Sequence, residues 1–242
     1  MEVRTLLLLT IAILFMAVGL ILAARIKEAK GSLRYAKTSI IMAALSVSGA
    51  FIVQVIMALV YDPTPLAENM ILKQLYVFED LFAMLVLTFL VSFAVFSTYT
   101  GPRRRWIILL IFIVSLIPPA YLTLDYSRAI IASLVPLQSE LFVLTPPPLT
   151  DYFYAICGIP LGLAPILVFA RSLISARRRG DKVSTNRTAI IFSAVIANEA
   201  EYLLYVFGGP LLEIPVLVAW IPVSIFLLYA VLKITSPLKP SD

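Results

Sequence analysis

The chain reads as an all-α bundle of seven membrane-spanning helices, with its N-terminus outside and its C-terminus in the cytoplasm. Three observations lead there. Hydrophobic residues make up 61% of 242 positions, with a mean hydropathy of +1.00, whereas soluble domains are roughly half apolar. These residues gather into runs long enough to cross a hydrocarbon layer about 30 Å thick. Sixteen of the nineteen Lys and Arg residues fall into four alternate gaps between the runs, and basic loops are retained on the cytoplasmic side. The gaps hold Arg25, Lys27, Lys30, Arg34 and Lys37; Arg103 to Arg105; Arg171, Arg177 to Arg179, Lys182 and Arg187; and Lys233 and Lys239. Only Arg4, Lys73 and Arg128 lie elsewhere, while most acids fall towards the opposite side. An odd number of crossings puts all four basic gaps inside, in a plasma-membrane, multi-pass arrangement that forms one integral membrane domain.

The first span is Thr5 to Ala24, too long for a signal-peptide core and followed by a strongly basic flank. The second, Ser39 to Tyr61, ends at Tyr61, Asp62, Pro63, Thr64 and Pro65, where the prolines stop a helix and the tyrosine suits the interface. The third, Val77 to Tyr99, closes on a tight turn at Gly101 and Pro102. The fourth runs from the interfacial Trp106 to Leu122, and Pro118 and Pro119 should kink or fray its outer end. Tyr152 to Leu173, bent by Pro160 and Pro165, Thr188 to Phe207, and Ile214 to Leu232 complete the seven. Ala129 to Leu144 is apolar enough to suggest a further crossing, but Pro136, Gln138, Ser139 and Glu140 sit at its middle. Counting it would also put Arg177 to Arg179 outside. An amphipathic or re-entrant helix on the outer surface, near residues 129–144, is therefore predicted.

Composition also removes functions. The chain has no His and a single cysteine, Cys157, so His-ligated metal centres, iron–sulfur clusters, disulfides and His-based catalytic pairs are not expected, and neither is any cofactor. Cys157 reads as a small buried residue. The net charge of +5 is accounted for by topogenic loops. Nucleic-acid binding is not expected, whereas anionic lipid headgroups at the cytoplasmic face are. The scarcity of Asn, Gln and Cys beside abundant Ile, Leu and Val suits a thermophile.

Polar residues enter a span in number only in the outer half of the sixth, at Asn198, Glu199, Glu201, Tyr202 and Tyr205. At 100° per residue they share one helix face. Glu199 lies about 14 Å below Gly208, near mid-bilayer, where a carboxyl group costs roughly 2.5 kcal/mol or more. Such a group must face the bundle interior or a partner, pair, bind a cation or be protonated. Tyr76, Glu79 and Asp80, at spacings of three and four in the outer start of the third span, could face the same outward-opening cavity, as could Asp151, Tyr152 and Glu213. The more ordinary reading, preferred for Glu79, Asp80, Asp151 and Glu213, makes these four water-facing residues at helix ends. An acidic, tyrosine-lined cavity suits a cation, a proton relay or an amine-bearing ligand. The function expected is a non-enzymatic sensor or receptor-like module. The alternatives are an accessory or scaffold subunit of a larger membrane complex and a small proton- or cation-coupled transporter.

Within Ser39 to Ile117, three features stand together: a span ending in Tyr61-Asp62-Pro63, the outer segment LKQLYVFED leading into the next span, and the exit FSTYTGPRRRW. This third of the chain resembles the N-terminal seven-transmembrane sensor region of some prokaryotic histidine kinases. The resemblance implies sensing of a ligand or of membrane state, with no chemistry in the bundle itself. No coiled-coil linker, phosphoacceptor His or ATP-binding domain follows Lys233, so a signal would leave through a separate protein partner.

Overall fold

The computed structural model describes residues 3–24, 26, 31–60, 70–98, 101, 103–124, 130–133, 142–145, 154–207 and 210–235; for residues 31–33, 70, 73, 98, 122–124, 130–133, 142–145, 154–155, 187, 191, 198–199, 201–207, 210–213, 227–228 and 230–235 it describes the backbone alone. The described chain is helical apart from one short hairpin. Its helices are α1 (Val3–Ala24), α2 (Gly31–Val60), α3 (Met70–Thr98), α4 (Arg104–Ser115) and α5 (Ile117–Leu124). After strands β1 (Ile130–Ser133) and β2 (Phe142–Thr145) come a π-helical turn at Tyr154–Gly158, α6 (Ile159–Arg178), α7 (Lys182–Phe207) and α8 (Pro210–Thr235). Five segments, Val3–Ala24, Arg34–Val60, Gln74–Ser97, Arg104–Tyr121 and Ile156–Arg178, are long and apolar enough to cross a membrane.

Several helices outrun the apolar runs that predict them. The second begins at Gly31, not Ser39, and the third at Met70, not Val77. A backbone that already satisfies its hydrogen bonds gains nothing by unwinding at the hydrocarbon boundary, so hydropathy marks where lipid ends and not where the helix does. At 1.5 Å per residue, the 30 residues of α2 and 29 of α3 extend about 45 Å, well beyond a 30 Å core.

Prolines mark the other departures. Pro118 and Pro119 split the fourth span into α4 and α5, with Leu116 between them. The Leu116 amide donates to Ile113 O at 3.2 Å and Ser115 Oγ donates to Phe112 O at 2.8 Å, while the two prolines fall in the first turn of α5, where their missing N–H groups are tolerated. Pro215 and Pro222 lie inside α8 without ending it.

The helix expected near residues 129–144 is not formed. Ile130–Ser133 and Phe142–Thr145 pair antiparallel, with Ile130 opposite Thr145 and Ser133 opposite Phe142. Isoleucine, valine and phenylalanine favour strand, and the prolines at 136 and 146–148 stop a helix from either side. The pairing turns the chain back on itself, and four residues of strand extend only about 14 Å, too short to cross. The central residues Pro136, Gln138, Ser139 and Glu140 lie outside the described residues, as does the predicted outer turn from Tyr61 to Pro65.

Contacts follow a circuit: α1 packs on α2, α2 on α3, α3 on α6, α6 on α7, α7 on α8, and α8 back on α1. Leu8, Ile11, Phe15 and Leu22 of α1 meet Ile41, Val47 and Phe51 of α2 and Leu217 and Trp220 of α8 in one buried cluster. There the Phe51 and Trp220 rings meet edge to face at 4.9 Å. Ser48 Oγ donates to Ala12 O at 2.9 Å, and Gly19 lets α2 approach so closely that a Cβ there would lie 2.8 Å from Leu45 Cδ2. In lipid, such close packing and interhelical hydrogen bonds replace the hydrophobic drive that water would supply. α4 touches α3 and leaves Trp106, Leu109, Leu110 and Ile113 exposed, the surface expected of a lipid-facing helix.

The chain reverses between α6 and α7 by a glycine-based helix end. Gly180, at φ +70°, donates to Arg177 O at 3.1 Å, and the Asp181 amide donates to Ala176 O at 3.3 Å, which together satisfy the last carbonyls of α6. Asp181 then starts α7, its Oδ1 accepting from the Ser184 amide at 2.9 Å. A hydrogen bond from the Ser184 side chain, followed by this amide bond, holds the Asp181 carboxyl below the usual carboxylate range.

Candidate functional site

The stripe predicted on the sixth span lies within one unbroken helix, because Asn198, Glu199, Glu201, Tyr202 and Tyr205 all belong to α7. Their side chains are outside the described residues, as are those of Asp151, Tyr152 and Glu213. The site that the described side chains build lies instead among α1, α2 and α3, around Tyr76, Glu79 and Asp80.

Adjacent on α3, Glu79 and Asp80 point about 100° apart. Glu79 turns towards α2, where Gln54 Nε2 donates to Glu79 Oε1 at 2.7 Å, and the positive charge of Arg4 on α1 acts on the same carboxyl. Tyr76, one turn outward, is half-buried against the cluster of Val53, Met57 and Leu72. Asp80 lies on the face that carries Met84 one turn further on, and Met84 packs with Cys157 and Leu161 at the α6 end of the bundle. Only 4% of Asp80 is exposed, and among the described residues neither of its carboxylate oxygens has a hydrogen-bond partner.

That burial corrects the preferred reading of Asp80 as a water-facing residue at a helix end. The error comes from placing the membrane boundary at the start of apolarity: α3 begins at Met70, so Asp80 is nearly three turns into it and packed inside. Glu79 too is engaged between helices and not free in water.

Two members of the site escape the search for acidic and aromatic residues. Arg4 is 8% exposed, although it reads in sequence only as part of a short charged start. Gln54 is a lone buried polar residue inside an apolar span. The available signals are that Arg4 is one of three basic residues outside the basic gaps and that Gln54 interrupts the run from Phe51 to Val60.

Depth follows from helix lengths. α1, at 22 residues, extends about 33 Å, so if Ala24 marks one edge of a 30 Å core, Arg4 marks the other. The Gln54 to Glu79 hydrogen bond shares that level, and α2 and α3 rise beyond it by about 9 Å and 14 Å to Val60 and Met70. The site therefore lies well inside the ends of α2 and α3. Leaving a carboxylate buried there without a partner costs several kcal/mol.

Cys157 is buried with Met84, Leu87, Val91 and Leu161 and fills space in that cluster. Among the described residues, no three or more His, Cys, Asp or Glu side chains group closely enough to hold a metal ion. Comparison of the chain with protein-family models, curated proteins and solved structures finds no match.

Proposed function

We propose that this is a seven-span membrane protein, N-terminus outside and C-terminus in the cytoplasm, that binds a small ligand or cation at an outward-facing polar site and acts as a sensor or receptor-like module without chemistry of its own. The observation that carries the reading is Asp80. A carboxyl group almost wholly buried, with both oxygens unpartnered among the described residues, beside a second carboxyl that accepts a hydrogen bond from Gln54, has the form of a site awaiting a positively charged occupant.

The topology supports access from outside. In the arrangement given by the basic gaps, the Arg4, Gln54, Glu79 and Asp80 level faces the outer boundary, and the exposed Arg177, Arg178, Arg179 and Lys182 at the α6–α7 turn lie in the cytoplasm against anionic lipid headgroups. The likeness of residues 39–117 to kinase sensor regions fits the same reading, because α2 and α3 of that stretch carry Gln54, Tyr76, Glu79 and Asp80. A change at the site would then be passed through α2 and α3 to a cytoplasmic protein partner.

The test uses the purified chain and a panel of monovalent cations, divalent cations and alkylamines, with the unfolding temperature read for each. A compound at a hundred times its Kd stabilises by about 2.7 kcal/mol, so an occupant of this site raises the unfolding temperature of the wild type and not that of Asp80→Asn. Topology is read separately by adding a membrane-impermeant thiol reagent from outside to a Tyr76→Cys variant in a Cys157→Ala background. If no compound separates wild type from Asp80→Asn, and the reagent fails to reach position 76, the reading is wrong.

A further inference from the structure

A second feature lies about 24 Å along α3 from Asp80, apart from that site and independent of it; in the proposed topology this is the cytoplasmic end of the bundle. Three helix ends meet there. Tyr35 at the start of α2 stacks on Phe96 near the end of α3, with ring centres 5.3 Å apart, and the Arg104 guanidinium at the start of α4 lies over the same Phe96 ring at 5.5 Å. Each residue along α4 turns the side chain by about 100°. With Arg104 turned onto α3, Arg103 and Arg105 therefore point to either side, and both are exposed. Between them, on the side away from α3, stands Trp106, 73% exposed, followed along the helix by the exposed Leu109, Leu110 and Ile113.

Charge and depth decide what covers this face. Arg34, Lys37 and the three arginines bring five positive charges to it, yet α2, α3 beyond Asp80, α4 and α5 contain no Asp or Glu. The exposed basic turn from Arg177 to Lys182 differs, because it carries a counter-charge in Asp181, on which Arg179 acts. The stretch Arg104–Tyr121 has 18 residues and extends at most about 27 Å, close to the roughly 30 Å of a hydrocarbon core. Its basic end is therefore set in the headgroup layer and not beyond it. Tryptophan prefers that layer, the apolar stripe that follows suits acyl chains, and phosphate is the anion the layer supplies, matched by the planar fork of arginine.

We propose that Arg103 and Arg105 seat the phosphate of one anionic phospholipid against Trp106, with its acyl chains along Leu109, Leu110 and Ile113. This is a defined site for one lipid, as distinct from the general attraction of basic loops to an anionic leaflet. Trp106 reports on it directly, because the other tryptophan, Trp220, is only 4% exposed. The purified full chain is reconstituted in mixed phosphatidylcholine and phosphatidylglycerol vesicles, one lipid or the other carrying brominated acyl chains, and quenching of tryptophan fluorescence gives their relative affinity at this face. Phosphatidylglycerol should be preferred by about tenfold, the equivalent of one charge-assisted hydrogen bond. Arg103→Gln with Arg105→Gln should bring the two affinities together, whereas Arg177→Gln with Arg178→Gln, which removes the same charge elsewhere, should keep the preference. Equal affinities in the wild type, a preference that survives loss of Arg103 and Arg105, or one that falls equally in the Arg177 and Arg178 variant would each overturn the site. Inorganic phosphate should not relieve the quenching; if it displaces the lipid, the face binds free phosphate and the lipid assignment falls. None of these outcomes bears on Asp80, whose variant is read in the separate cation and alkylamine assay.

Discussion

Breaking the Gln54 to Glu79 hydrogen bond is the sharpest perturbation of the α2–α3 pair. Its donor–acceptor distance is 2.7 Å, short enough for a bond to a charged acceptor. Two magnitudes compete. Interhelical hydrogen bonds in membrane proteins average about 0.6 kcal/mol by double-mutant cycles and reach about 1.7, because the separated helices find other partners. Deleting one partner of a buried polar pair costs about 1–3 kcal/mol, because the other is stranded. Gln54→Ala should therefore cost more than the pair is worth, about 1–2 kcal/mol, with Arg4 still near Glu79 to limit the loss. The coupling from the cycle of Gln54→Ala, Glu79→Ala and the double variant should fall between about 0.6 and 1.7 kcal/mol. Reversible unfolding in mixed micelles, followed by circular dichroism, measures all four proteins. A coupling below about 0.3 kcal/mol, within the scatter of simple additivity, would show that the contact does not bind α2 to α3.

Three further outcomes are expected. Gly19→Ala should destabilise by about 1–3 kcal/mol, since the added Cβ meets Leu45 Cδ2 at 2.8 Å and α1 must move away from α2, whereas Gly101→Ala, with nothing within 4 Å, should be neutral in the same unfolding assay. Gly180→Ala should cost about 1 kcal/mol because φ at that position is +70°, read as the same shift in unfolding free energy. Asp181 has a folded pKa below its unfolded one, so its contribution is present above the ordinary aspartate range and is lost as pH falls through the depressed folded value; the Ser184 amide should exchange faster in that acid range, and Asp181→Ala should exchange fast at every pH.

Much of the architecture was legible in the sequence because lipid imposes a simple rule: what crosses must be apolar and internally hydrogen-bonded. The apolar runs, the tight turn whose Arg104 amide donates to Gly101 O at 3.3 Å, and the break at Pro118 and Pro119 all follow from it. The rule says nothing beyond the hydrocarbon. There the helices continue on backbone bonding alone, which moves the starts of α2 and α3 beyond their apolar runs and carries Asp80 from an apparent helix end to a packed interior. It also failed at Ile130–Ser133 and Phe142–Thr145, where short apolar stretches fit a strand as well as a helix by periodicity, and β-branched and aromatic residues with flanking prolines favour the strand.

The candidate site was half legible for a related reason. Tyr76, Glu79 and Asp80 were identifiable by their spacing, but their partners were not, since Gln54 lies 25 residues from Glu79 and Arg4 is on a different helix again. Arg4 is the informative case. In the proposed topology Arg4, like Lys73 and Arg128, lies outside the basic gaps that hold the other sixteen Lys and Arg residues, and so works against the topogenic signal. Its burial in α1 adds a desolvation cost that lipid cannot offset. Both terms oppose an arginine at that place unless it meets a negative charge, and the structure sets Glu79 where the Arg4 charge acts on it. The exception to the charge pattern and the buried acids therefore share one region of the bundle, where the Arg4 charge acts on Glu79 and the carboxylate oxygens of Asp80 have no hydrogen-bond partner among the described residues.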